Sequence, residues 1–500
     1  MSWRRILVLL VLVGALGAYL YLYEVPQAQK EGKKDKLVTV DKDAITGLGL
    51  VYPDREIDLR KGDKGWRLAK PVDAPADEAT VKSVLNTVAD AEVQKTLDEV
   101  PQDLASFGLD KPTVTVRLTL KDGTQLPALA VGKNTAIGGK TYVRKGEEPK
   151  LYLTTTAVSF GLNKQVKDLR DKQILAFQDD DVRRIEIVDQ AGNTTAIIRS
   201  EPEATGKAEG AKAAPPKETT WTLMPGGHTA DPTEVRSYLS SLRATRPVDF
   251  PDDAPADLAK YGLDRPRLTV RVLSGKEGGE TLTFLLGGET TQNSQKQIYA
   301  KRGDQPIVYA LAEFSFNTLN KTAAQLRDKT VLPVDPSRVG KVTIERKDGG
   351  SVTLTRADGG WKLEGVNKKK VKDDAVARFL DDLRELRGSE IAAEPAKDLA
   401  AYGLDAPDVR VSVTDRDGQA VGTVLAAKRD TKRYLMRAGT ETVFDARDYM
   451  YARLDKQPHD FEAAPEGAAP ATGVTVPPAP SPPPGVDDDM GDEDLGDDEE

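Results

Sequence analysis

Hydrophobic and polar positions change period again and again along this chain. From Val342 to Lys347 they alternate, Asp348-Gly349-Gly350 interrupts, Ser351 to Arg356 alternates again, and Asp358-Gly359-Gly360 leads into Trp361-Lys362-Leu363. Period-two alternation broken by Asp-Gly dipeptides predicts a three-stranded antiparallel meander. A similar pattern leads to Trp221, with Gly192-Asn193 at the first turn. After each meander the period lengthens. Val81, Val84, Leu85 and Val88 fall at i, i+3, i+4 and i+7, as do Val376, Phe379, Leu380 and Leu383, which predicts an amphipathic helix. In the middle stretch Asp231-Pro232-Thr233-Glu234 supplies a helix start: an N-cap Asp, Pro at the first helical position and Glu at the third.

A ten-residue phrase follows each predicted helix. Asp-Leu-Ala-x-(Phe/Tyr)-Gly-Leu-Asp-x-Pro runs from Asp103 to Pro112, Asp257 to Pro266 and Asp398 to Pro407, and Trp66, Trp221 and Trp361 precede the copies at nearly constant distance. One module is therefore used three times. The phrase reads as a short helical turn stopped by Gly108, Gly262 or Gly403 in a left-handed conformation. The next leucine folds back, and Pro112, Pro266 or Pro407 blocks a restart. Strands are predicted at once afterwards, over Thr113 to Leu120, Leu268 to Leu273 and Val409 to Thr414. Asp110, Asp264 and Asp405 read as parts of this corner rather than as ligands or catalysts. The tryptophans read as core or hairpin-packing residues, with a binding platform as the alternative. Each module ends in a further helix, closed by Leu169-Arg170-Asp171-Lys172, Leu326-Arg327-Asp328-Lys329 and, with two residues exchanged, Arg453-Leu454-Asp455-Lys456. These basic residues are expected to suit a helix C-terminus.

Two segments lie outside the modules. Ile6 to Tyr23 is uninterrupted by charge, follows Arg4 and Arg5, and is flanked by Trp3 on one side and Tyr19, Tyr21 and Tyr23 on the other, as a membrane-spanning helix with interfacial anchors would be. A cleavable signal peptide is the competing reading, but the apolar run continues past its best cleavage site. Lys30, Lys33, Lys34 and Lys36 after the span oppose the expected orientation, N-terminus inside and body outside. Residues 464–485 are rich in Ala and Pro, and Asp487 to Glu500 holds ten carboxylates, so a disordered tail is expected. The predicted architecture is α+β: an anchor (1–28), modules at 37–175, 176–332 and 333–463, a mobile insert at 201–219, and the tail (464–500).

Composition narrows the chemistry. Without the ten tail carboxylates the formal charge of −9 becomes +1, and a balanced body argues against a nucleic-acid binder. There is no cysteine and there are only two histidines, His228 and His459, which disfavours thiol, histidine acid–base and multi-histidine metal chemistry. No nucleotide-binding, nucleophile-elbow, metalloprotease or calcium-loop motif occurs. No catalytic, cofactor or metal residue is therefore nominated.

The tryptophan strand, the (Phe/Tyr)-Gly-Leu-Asp-x-Pro corner and the Leu-Arg-Asp-Lys end together resemble the bacterial family known as domain of unknown function 4340, over about Lys36 to Ala463. The third copy departs most. It reads Ala426-Ala427 where Val131-Gly132 and Gly287-Gly288 are expected to turn. The resemblance implies an anchored envelope protein, auxiliary to an ABC-type export system of the gliding-motility kind, with protein partners and no reaction of its own. Binding of cell-wall glycan or a secreted polymer is the alternative, and a cryptic hydrolase the third.

Overall fold

In the computed structural model, residues 35–98, 103–200, 220–275, 279–364 and 370–463 are described. The expected anchor, the insert at 201–219 and the acidic tail lie outside the described residues. Among the described residues no helix is long and apolar enough to cross a membrane. The chain divides into two compact units, Met1–Asp328 with the first two modules and Lys329–Glu500 with the third.

The first module shows the plan. Strands β1 (Ile45–Val51), β2 (Glu56–Gly62), β3 (Gly65–Lys70) and β4 (Ala74–Pro75) form the meander, followed by helix α1 (Glu78–Ala89) and β5 (Lys95–Leu97). After the corner come β6 (Val114–Leu120), β7 (Leu129–Asn134), β8 (Lys140–Lys145) and β9 (Leu151–Thr155), then helices α2 (Ala157–Leu162) and α3 (Val166–Leu169). Both sets of strands join one antiparallel sheet in the order β4-β3-β2-β1-β6-β7-β8-β9-β5, because β1 pairs β2 on one edge and β6 on the other. The second module repeats all nine strands, and the third has eight among the described residues.

Alternation places the core. Val114, Val116 and Leu118 of β6 point to the side covered by Val81, Val84, Leu85 and Val88 of α1, and all are buried in one cluster. Each such side chain contributes about 1.5–3 kcal/mol when fully buried. Helix α1 is capped by Asp77, which accepts from the Thr80 N–H at 2.7 Å. Asp231 does the same for the second module, accepting from the N–H groups of Thr233 and Glu234.

The corner takes the expected form. Gly108, Gly262 and Gly403 have φ of 65°, 62° and 68°, and the leucine N–H after each donates back across the turn, Leu263 to the Leu258 carbonyl at 3.0 Å. The aromatic of the phrase packs edge-to-face on a strand tyrosine in every copy: Phe107 on Tyr142, Tyr261 on Tyr299 and Tyr402 on Tyr434, with centroids 4.9–5.0 Å apart. Tyr261 and Leu263 form a small cluster with Val308, separate from the main core.

Three expectations are corrected. Val131-Gly132 and Gly287-Gly288 do not turn. They lie inside β7 and its counterpart Thr281–Gln292, where the pairing register shifts as at a bulge. A Cβ on Gly132 would strike the Phe107 carbonyl, and one on Gly287 the Tyr261 carbonyl, so the strand admits the corner only without a side chain there. In the third module Ala426-Ala427 keeps regular pairing with Leu435 and Tyr434, and both alanines are buried.

Next, the Leu-Arg-Asp-Lys tetrapeptide does close a short helix, at Leu169 and Leu326, but it is also the seam between modules, so the expected module boundaries move up to it. Leu169 belongs to the first core, whereas Ile174 and Leu175, assigned above to the first module, pack in the second. Val331 and Leu332 likewise belong to the third.

Finally, Arg453-Leu454-Asp455-Lys456 is not the third copy of that seam. Leu454 ends the counterpart of α2, with Leu162 and Leu319, and all three are fully buried. The seam position is Phe461-Glu462-Ala463. The Lys372 N–H donates to the Phe461 carbonyl as Asp77 does to Leu169 and Asp231 to Leu326, and Val371 bridges Glu462 as Ala76 bridges Arg170.

Candidate functional site

The tryptophan opens the candidate site. In each module its cross-strand neighbour is basic: Lys61 opposite Trp66, Arg199 opposite Trp221 and Arg356 opposite Trp361. In the first and third modules a carboxylate at the first helical position holds the strand. Glu78 accepts from the Trp66 backbone N–H at 2.6 Å and Asp373 from that of Trp361 at 2.9 Å. The indoles of Trp66 and Trp221 are buried in their cores, and Trp361 is half-buried. Packing therefore claims most of each ring, as burial of so large a side chain favours.

Beside Trp66 lies an open cleft of about 570 Å³, lined by Asp41, Lys42, Asp43, Lys61, Glu78, Lys82 and Asn86. Beside Trp361 lies one of about 790 Å³, lined by Lys341, Arg356, Asp358, Asp373, Asp415 and Arg416. Their walls mix both signs of charge. The second module differs. Pro232 stands where Glu78 and Asp373 stand, and the Arg199 guanidinium fills the space. Its Nη1 donates to the Asp180 carbonyl at 2.6 Å, reaches those of Asp179 and Val182 at 3.4 Å, and the guanidinium carbon sits 5.6 Å from the Trp221 ring centroid. Arg243 adds a bond to the Asp179 carboxylate at 3.1 Å.

The perturbed acidities lie elsewhere. Hydrogen bonding to Glu148 pushes the Tyr152 hydroxyl up to about 12, and the same bond holds the Glu148 carboxyl low. Burial pushes Tyr451 up to about 12 and raises Asp382. Among the described residues no three His, Asp or Glu side chains group as metal ligands would. The clefts can hold a charged or aromatic ligand by ion pairing and contact.

The sequence-nominated residues separate. Trp66 and Trp361 line the clefts, while Gly262 sits in the corner against the backbone of Gly288. Asp110, Asp264 and Asp405 are exposed, and no side-chain hydrogen bond or ion pair is found for them among the described residues. Capping and packing account for the rest of the phrase, not for these three. Trp3, Arg4, Arg5, Tyr19, Tyr21 and Tyr23 lie outside the described residues. The basic partner was legible in part, since Lys61 and Arg356 each precede their tryptophan by five positions, but the insert puts Arg199 twenty-two away.

These features define a tandem protein of antiparallel-sheet modules, each built around a tryptophan-bearing meander and a glycine corner. The chain belongs to the family described as Domain of unknown function (DUF4340), which matches residues 66–225, 221–407 and 361–463. Each match begins at or beside a module tryptophan, and the first two run across a seam into the next meander. No curated protein and no solved structure matches the chain.

Proposed function

We propose that this is a membrane-anchored extracytoplasmic interaction protein, auxiliary to an ABC-type transport system and without catalysis of its own. The observation that carries the reading is the reuse of one module with open, mixed-charge clefts beside Trp66 and Trp361, where no nucleophile and base are paired. Open clefts suit contact with another macromolecule better than enclosure of a reacting small molecule. The charge-free run from Ile6 to Tyr23 supports an inner-membrane anchor, and the absence of nucleotide motifs leaves hydrolysis to the partner. A photocrosslinker placed at Lys82 or Lys362 in native membranes should capture transporter subunits; capture of cytosolic proteins alone would overturn the reading. Binding of cell-wall glycan is the second reading, favoured by the tryptophan beside carboxylates, and retention on purified sacculi that is lost on altering the clefts would select it.

A further inference from the structure

We infer that the cleft beside Trp66 is a receptor for the guanidinium group of an arginine presented by a protein partner. The second module shows the occupied form of the same place. There Arg199, the cross-strand neighbour of Trp221, lays its guanidinium on the carbonyls of the short turn Asp179–Asp181 and of Val182, beside the indole. The first module keeps the receiving parts: the matching turn Lys42–Ala44, the strand start at Ile45, and Trp66.

It lacks the filling group. Lys61 stands at the arginine position, and no hydrogen bond or ion pair is found for its ammonium among the described residues. Arg199 makes these contacts through Nη1 alone, and a lysine side chain at the same position ends one atom short of that nitrogen, so Lys61 leaves vacant the place that Arg199 fills. The vacated space is the cleft itself. Asp41, Asp43 and Glu78 supply negative charge around it, against Lys61 and Lys82 at its edge. Lys42 is already engaged by Asp90 at 3.4 Å. In the third module Arg356 lies 5.6 Å from the Trp361 ring centroid but leaves the cleft beside it open, and no hydrogen bond from its guanidinium is found among the described residues, so that cleft is not part of this assignment.

The site does not depend on the membrane reading. That an envelope partner supplies the arginine does, and crosslinking tests that part separately. The site is tested on the full-length protein in detergent with isotope-labelled tryptophan indoles, titrated at low salt with N-acetyl-arginine methylamide and its lysine counterpart. The Trp66 indole should shift saturably with the arginine probe and bind the lysine probe about tenfold more weakly. Lys61→Arg should abolish the response by filling the cleft from within, and Arg199→Ala should make Trp221 respond. Unchanged hydrogen-exchange protection of β1 in Lys61→Arg, and of Val182–Asp189 in Arg199→Ala, reports that each altered module is folded. No saturable shift at Trp66, equal response to both probes, or an undiminished response in Lys61→Arg would each overturn the assignment.

Discussion

At Gly287 the missing side chain matters more than the missing φ restriction. Its Cβ would strike the Tyr261 carbonyl, whereas Gly262 combines φ of 62° with a Cβ 2.8 Å from the Gly288 nitrogen. Gly287→Ala and Gly262→Val should therefore each destabilise the second module by about 1–3 kcal/mol in chemical denaturation. Gly403→Ala meets only Ala427 at 3.4 Å and should cost about 1 kcal/mol, from backbone strain alone. Equal losses at all three positions would show that the close approach is not what requires glycine. The left-handed glycine was legible in the phrase itself. Its companion across the sheet was not, because a glycine within a strand looks the same as one at a turn until the two backbones are brought together.

A second test at this scale is pH. Tyr261 donates to Asp252 at 2.8 Å, and that bond holds the Asp252 carboxyl below its ordinary range. The tie is fully present above the ordinary carboxylate pKa and is lost as pH falls through the depressed one. Tyr261→Phe should return the Asp252 titration, followed by NMR, toward its ordinary position; an unmoved titration would assign the depression to another cause.

Between elements, the seam joining the first two modules is held by one buried arginine. The Arg170 side chain is only 5% exposed, reaches Asp253 at 2.7 Å and lies 3.9 Å over the Phe250 ring, while Lys167 approaches Asp249 at 3.4 Å. Removing Arg170 strands a partner and a stacked face, so Arg170→Ala should loosen this contact by about 1–3 kcal/mol. Hydrogen exchange should quicken at Val166–Leu169 and Asp249–Asp252 while β1 stays protected. Lys167→Ala, with both partners near the surface, should change it by less than about 1 kcal/mol. Equal effects from the two substitutions would remove Arg170 from its special place. Meanders, helices and corner were readable from period and punctuation, since those signals are local. The single sheet was not, because β1 pairing with β6 spans α1 and the corner. Nor was the role of Arg170, since sequence alone makes a basic residue after a short helix look like a dipole partner.

For the whole molecule, three separate cores predict that the tail contributes nothing to folding. Deleting residues 464–500 should leave every calorimetric transition in place, and a lost transition would show that the tail packs on the body. On the proposed anchoring, protease added to spheroplasts should digest the body; protection until lysis would reverse the proposed orientation. The seam also bears on how such a chain can change length. Leu169-Arg170-Asp171-Lys172 and Leu326-Arg327-Asp328-Lys329 are identical in sequence and fall where one core ends and the next begins. Unequal crossing-over between them, removing Asp171 through Arg327, would rejoin Arg170 to Asp328 and regenerate the same tetrapeptide with no core cut. Copy number can thus rise or fall by a whole module without leaving a scar. Phe461-Glu462-Ala463 keeps none of the tetrapeptide at the third exit, so a crossover of this kind would be confined to the first and second seams and would spare the last module.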